Sequence, residues 1–245
     1  MVSAAGDAYH AGKIDGYRAN ERRPDLWVAD RPFRLPMMLG DIGCRMTIVR
    51  LADGGLFLHS PVPLDAETRT ALNEIGPVHA IVAPSKAHHL FVGDYVKAYP
   101  AAKLYGAPGP PEKRKDLRFD AILGDEAGAD WRGEIEQHLF VGAPRLNEVV
   151  FFHPASRTVI FTDLVFNVPA QDASKARAFN WLTGAAGHFG PHRLIRTMIS
   201  DRNGACASVE KILQWDLDRV IVSHGNVLDS GGHNRVRAAL AYLWS

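Results

Sequence analysis

The chain has 245 residues, 47% of them hydrophobic and 22% charged, with a formal net charge of +1. That is enough apolar material for one large core or two small ones, and the charge balance excludes the basic stripe of a nucleic-acid or membrane-surface protein. No run approaches the ~18 apolar residues that span a bilayer, Met1 to Asn20 has no apolar leader-like core, and Cys44 and Cys206 form no CxxC pair, so the expectation is a soluble cytoplasmic protein with free thiols.

Residues 1–25 are polar and without period, and read as an N-terminal arm; 26–245 reads as a single domain. Leu26 to Ala29 and Arg34 to Met38 read as short strands. Cys44 to Leu51 and Leu56 to His59 flank Asp53-Gly54-Gly55, a strong hairpin pattern. Asp65 reads as the N-cap of a helix running to Ile75 and stopped by Gly76-Pro77. Val78 to Ala83 is a buried strand, Leu90 to Tyr99 a helix, and Ala102 to Gly106 another strand. Ala107 to Arg118 is Pro- and Lys/Arg-rich and reads as an exposed loop or short helix. Ile135 to Val141, Glu148 to His153 and Thr158 to Thr162 read as strands, the last two as a hairpin. Val165 to Arg196 reads as two short helices or a lid-like loop. Asn203-Gly204 reads as a break before a helix from Ala207 to Gln214; Arg219 to Val222 is a buried strand, and Asn234 to Trp244 an amphipathic helix.

Several apolar runs end in residues with metal-ligand or acid–base chemistry: His59, the pair His88-His89, Glu148 and His153, Asp163, and His224. Strand ends of layered α/β folds open onto a common rim, so such residues can converge, and imidazole with carboxylate suits zinc, manganese or iron. Each histidine taken alone reads as an ordinary hydrogen-bonded side chain. Spacing does not decide which of His88 and His89 faces inward. His188 and His192 are four apart, but the Gly and Pro between them argue against a helix-borne metal pair; they read as a surface loop or as the lining of a lid. No Gly-x-Ser-x-Gly elbow and no Gly-rich phosphate loop is present.

The succession Leu-Phe-Leu-His59-Ser60-Pro61, Ile81-Val82-Ala83-Pro84-Ser85-Lys86-Ala87-His88-His89, Ser156 to Asp163, and Val222-Ser223-His224-Gly225 resembles the metallo-β-lactamase-fold hydrolases. Within them it is similar to a divergent branch described as a domain of unknown function (DUF4336-like). The resemblance implies an α/β fold of the αββα sandwich type, with metal at the rim between the sheets. The superfamily's H-x-H-x-D-H loop falls on Pro84 to His89, where Pro84 and Lys86 replace two histidines, His88 replaces the aspartate, and only His89 survives. Asp163 matches the metal-bridging aspartate and His224 the final histidine; Glu148 is nearest to the place of a third-motif histidine; His59 stands where an aspartate supports the loop from beneath.

What the resemblance implies is one divalent metal, zinc, rather than two, held among His88, His89, Glu148, Asp163 and His224. His88 and Asp163 would be the catalytic groups, and His59, Lys86 and His153 would support the site or touch substrate. The expected activity is metal-activated hydrolysis of an ester, lactone, thioester or amide in a small-molecule substrate, with neither nucleic acid nor membrane as partner. The alternative is a non-catalytic small-molecule or protein binding module on the same fold.

Overall fold

Apolar runs without polar alternation require burial on both faces, and the computed structural model, which describes residues 14–16, 25–35, 40–170 and 182–245, provides it. The strands are β1 (Ile14–Gly16), β2 (Leu26–Arg31), β3 (Arg34–Leu35), β4 (Gly40–Asp41), β5 (Cys44–Arg50), β6 (Leu56–His59), β7 (Val78–Ala83), β8 (Lys103–Gly106), β9 (Ala121–Ile122), β10 (Glu136–Leu139), β11 (Val149–His153), β12 (Thr158–Phe161), β13 (Phe166–Val168), β14 (His188–Gly190) and β15 (Arg219–Val222). The helices are α1 (Ala66–Ile75), α2 (Val92–Ala98), α3 (Pro110–Lys113), α4 (Arg193–Met198), α5 (Arg202–Ile212) and α6 (Gly232–Leu240). One sheet runs β1-β2-β5-β6-β7-β8-β9 and a second β10-β11-β12-β15.

Period-2 alternation sorts these strands into three cores. Phe57, Val82, Phe151, Ile160 and Ile221 face the space between the sheets, around Trp131. Leu56, Leu58 and Ile81 turn outward and pack with Leu72 of α1 and Val92 and Tyr95 of α2. Val150, Phe152, Val159 and Val220 turn outward from the second sheet onto Val209 of α5 and Val236 of α6. The layers are therefore helix, sheet, sheet, helix, the αββα sandwich. Among the described residues no helix is long and apolar enough to cross a membrane, and Cys44 and Cys206 are free.

Some local expectations shift. Ile14–Gly16, placed in the arm, pairs antiparallel with β2 as an edge strand; most other arm residues lie outside the described ones. Asn203-Gly204 does not break the chain before a helix, because Asp201 caps α5 by accepting from the Gly204 amide, so the helix starts at Arg202. The terminal helix ends as α6 at Leu240 and tightens into a 3₁₀ turn over Ala241–Trp244. Val165 to Arg196 contains the hairpin β13–β14 and then α4, with residues 171–181 outside the described ones.

Strand direction positions the site. β6 and β7 are parallel, as are β12 and β15, so each pair ends on one rim. Lys86 N donates to Leu146 O at 3.0 Å and Val149 N to Pro84 O at 2.8 Å, which joins the loop after β7 to the segment entering β11 and makes the two rims one. β11 is antiparallel to β12, so its start lies at this rim and its end at the other.

Candidate metal centre

Three of the expected residues meet at this rim. The donor atoms of His88, Asp163 and His224 lie within 4.8 Å of one another. His88 comes from the loop after β7, Asp163 from just beyond β12, and His224 from the turn after β15. Asp163 Oδ2 is 3.3 Å from His88 Nε2, and its Oδ1 is 3.4 Å from His224 Nε2. Burial alone would raise the Asp163 pKa; the charge of His88 and the hydrogen bonding of His224 reverse that and hold it below the ordinary carboxylate range. For His88, burial opposes protonation, but Asp163 and then Glu148 outweigh it and raise the pKa.

Each imidazole is held through its other nitrogen. His224 Nδ1 lies 2.7 Å from Gly43 O; a carbonyl only accepts, so Nδ1 carries a proton and Nε2 is the nitrogen turned toward Asp163. His88 Nδ1 lies 2.7 Å from Ser60 Oγ, and Ser60 holds a left-handed backbone (φ 57°) at the end of β6, where a non-glycine residue is uncommon. The His224 turn is anchored by buried Arg45, whose guanidinium donates to Val222 O at 2.9 Å and Gly225 O at 2.7 Å while gripping Asp30. Gly225 (φ 103°) has no room for a side chain, because a Cβ there would run into the Asn167 carbonyl.

The residues fit a divalent ion. His224 Nε2 and the Asp163 carboxylate can face each other only with a proton or a cation between them. Asp163 Oδ2 is buried with no hydrogen-bond partner. Two imidazoles and a carboxylate, with both histidines oriented by a second hydrogen bond, are the donor chemistry of a three-ligand catalytic site.

The remaining expected ligands are elsewhere. His89, assigned by the resemblance as the inward histidine, is outside the cluster; His88 takes the inward place. The loop turns the two rings apart, and His89 is buried near Lys113 and Arg114, which with burial lower its pKa. Cationic neighbours this near disfavour a metal ion on the His89 ring. Glu148, expected as a ligand, is fully buried and accepts from the amides of Thr162, Asp163 and Leu164 at 2.7, 2.8 and 2.8 Å. Both its oxygens are committed to the backbone carrying Asp163. Burial and the Asp163 charge push its pKa up to about 7. His153, expected to support the site, ends β11 at the opposite rim, with Nδ1 2.8 Å from Ser156 Oγ; strand ends share a rim only when the strands are parallel. His59 is buried beneath the site with its ring 5.3 Å from Phe151, and burial lowers its pKa to about 3. Lys86 lines the cavity over the cluster, with Nζ donating to Pro144 O at 2.6 Å.

His192, Ser60, Arg45 and Gly43 were not singled out by sequence as parts of the site. His192 is buried, caps α4, packs its ring 4.4 Å from that of Phe166, and lines the same cavity of about 340 Å³. Burial lowers its pKa to about 4. A pattern did exist in Pro191-His192 ahead of the apolar Leu194-Ile195, but histidine is an uncommon cap.

The family described as "Domain of unknown function (DUF4336)" matches residues 25–181. No curated protein matches the sequence. Among solved structures, a metallo-β-lactamase from Pontibacter korlensis aligns over 94% of this chain and 99% of its own, at 14% identity and TM-score 0.61. One from Hirschia baltica aligns over 91% and 95%, at 12% identity and TM-score 0.60. The metallo-β-lactamase FIM-1 from Pseudomonas aeruginosa, in a mono-zinc form, aligns over 91% and 93%, at 11% identity and TM-score 0.61. At such identities the likeness is one of fold.

Proposed function

Because the chain belongs to the DUF4336 family and has the fold of the metallo-β-lactamases, we propose that it is a metal-dependent hydrolase of a small-molecule ester, lactone, thioester or amide, with one divalent ion, zinc, on His88, Asp163 and His224. The observation that carries this reading is the cluster itself: three donors from three loops within 4.8 Å, each histidine oriented through its far nitrogen. An ion bound there supplies Lewis-acid polarisation of a carbonyl and brings the pKa of water to about 7.

The protein's own groups do the rest. Ser60 and the Gly43 carbonyl fix the two imidazoles, so the nitrogens facing Asp163 need no reorganisation. Glu148 fixes the backbone on either side of Asp163. His192, neutral near pH 7, lines the cavity without adding charge to the site. The apolar cavity walls exclude water and strengthen these interactions.

The test is metal content after purification without chelator, with turnover of a panel of the four substrate types. Wild type and His89→Ala are expected to carry about one ion per chain, and His88→Ala, Asp163→Ala and His224→Ala to lose both ion and turnover. A folded wild-type protein that takes up no divalent ion sinks the proposal and leaves the binding-module alternative.

A further inference from the structure

The cavity over the cluster has a composition that the hydrolytic reading does not use. Its apolar wall includes Phe33, Ile42, Phe91 and Met198. Leu90 and Leu194, which also line it, are 53% and 49% exposed, so the apolar surface continues out to the mouth. Large aliphatic side chains left in water at the mouth of an apolar pocket mark a place where something apolar lies down.

The same cavity is lined by three cations, Lys86, Lys113 and Arg145. The only carboxylate lining it among the described residues is Asp163, already engaged by His88 and His224. Among the described residues no carboxylate pairs with any of the three cations. The two lysines are instead tethered in place: Lys86 Nζ donates to Pro144 O at 2.6 Å and Lys113 Nζ to Lys86 O at 2.6 Å. The Lys86 stem lies against Gly109, where a Cβ would collide with it. Arg145 follows the residue whose carbonyl holds Lys86. An anion bound beside these cations would supply the counter-charge that they lack.

Resting on the hydrolase reading for the fate of the ligand, we infer that this cavity takes an amphiphilic anion: a single apolar chain laid along the Phe33–Leu90–Phe91–Leu194–Met198 wall, with a carboxylate or phosphate group held by Lys86, Lys113 and Arg145. The substrate class is then an acyl compound that carries an anionic group apart from the bond to be cleaved.

The experiment is calorimetric titration of the full-length protein with octanoate, octyl phosphate, octanol and acetate. At least one of the two long-chain anions is expected to bind about tenfold or more tighter than both octanol, which lacks the charge, and acetate, which lacks the chain. Arg145→Gln and Lys113→Gln are each expected to weaken that anion by about threefold and to leave octanol unchanged. Arg145 and Lys113 are both exposed, and among the described residues the Arg145 side chain has no hydrogen bond or ion pair, so neither substitution removes a core contact. Equal affinity for octanol and both anions, no binding of either anion, or anion binding indifferent to both substitutions overturns the inference. Metal content measured on the same samples separates the two proposals. Loss of anion selectivity with metal intact removes only this one; anion selectivity without metal removes only the metal reading.

Discussion

At the residue scale, Ser60 governs His88 as the Gly43 carbonyl governs His224. With Ser60 Oγ 2.7 Å from Nδ1, the imidazole keeps Nε2 on Asp163. Ser60→Ala is expected to weaken metal binding by about tenfold without unfolding the protein, read by competition with a chelator of known affinity. His59 and His192 set a second expectation. In the unfolded chain both protonate at their ordinary value, but burial lowers them to about 3 and about 4 in the fold. Between those values the unfolded state binds more protons, so their contribution is whole above pH 6.5 and is lost as pH falls through about 4 for His192 and about 3 for His59. Glu148, raised to about 7, acts in the opposite sense: its contribution is whole below its ordinary value and lost as pH rises through about 7. Its gain on acidification is complete near pH 4.5, so below that only the histidine loss continues. His192→Gln should make the dependence of unfolding free energy on pH between 6.5 and 4 shallower by up to about 1.4 kcal/mol per pH unit. Denaturant titrations at stepped pH measure it.

At the element scale, the segment entering β11 and the turn leaving β12 act as one unit, because three successive amides of the turn bond to one buried carboxylate. Glu148→Gln leaves a donor NH₂ facing a backbone N–H and should cost about 2–3 kcal/mol, measured by chemical denaturation. The substitution also loosens Asp163, so metal affinity should fall with stability. Gly225→Ala should cost at least about 1 kcal/mol for its backbone alone, and more where the new methyl displaces the Asn167 carbonyl. Most elements were legible because their signals are local. Asp53-Gly54 announced the β5–β6 hairpin, Asp65 the start of α1, and unbroken Val/Ile/Phe runs the strands buried on both faces. The direction of β11 and β12 was legible as a hairpin, and that antiparallel pairing sends His153 to the far rim although it follows its apolar run as His224 follows its own.

At the scale of the whole molecule, the candidate ligands come from both sheets: His88 from the loop after β7, Asp163 and His224 from the ends of β12 and β15. An ion bound there joins the two halves of the sandwich. Binding only to the folded state at 100 times Kd would add about 2.7 kcal/mol, and at this chain length about 2–4 °C in Tm for each kcal/mol. Chelator is therefore expected to lower the melting temperature of the wild type by several degrees and to leave His224→Ala unmoved, by scanning calorimetry. The sequence by itself determined the layered α/β class, most strands of the two main sheets, the family resemblance and the short roll of residues from which a site can be built, since periodicity, turn residues and motif order are written along the chain. Which of them meet was decided by the tertiary structure alone. His88 faces the cluster and His89 does not, Glu148 is spent on the backbone, and His192 enters from a segment whose sequence reads as two short helices or a lid-like loop. Adjacency in space follows from strand direction, loop torsion and the partner of each ring nitrogen, and none of these is a property of the residues taken singly.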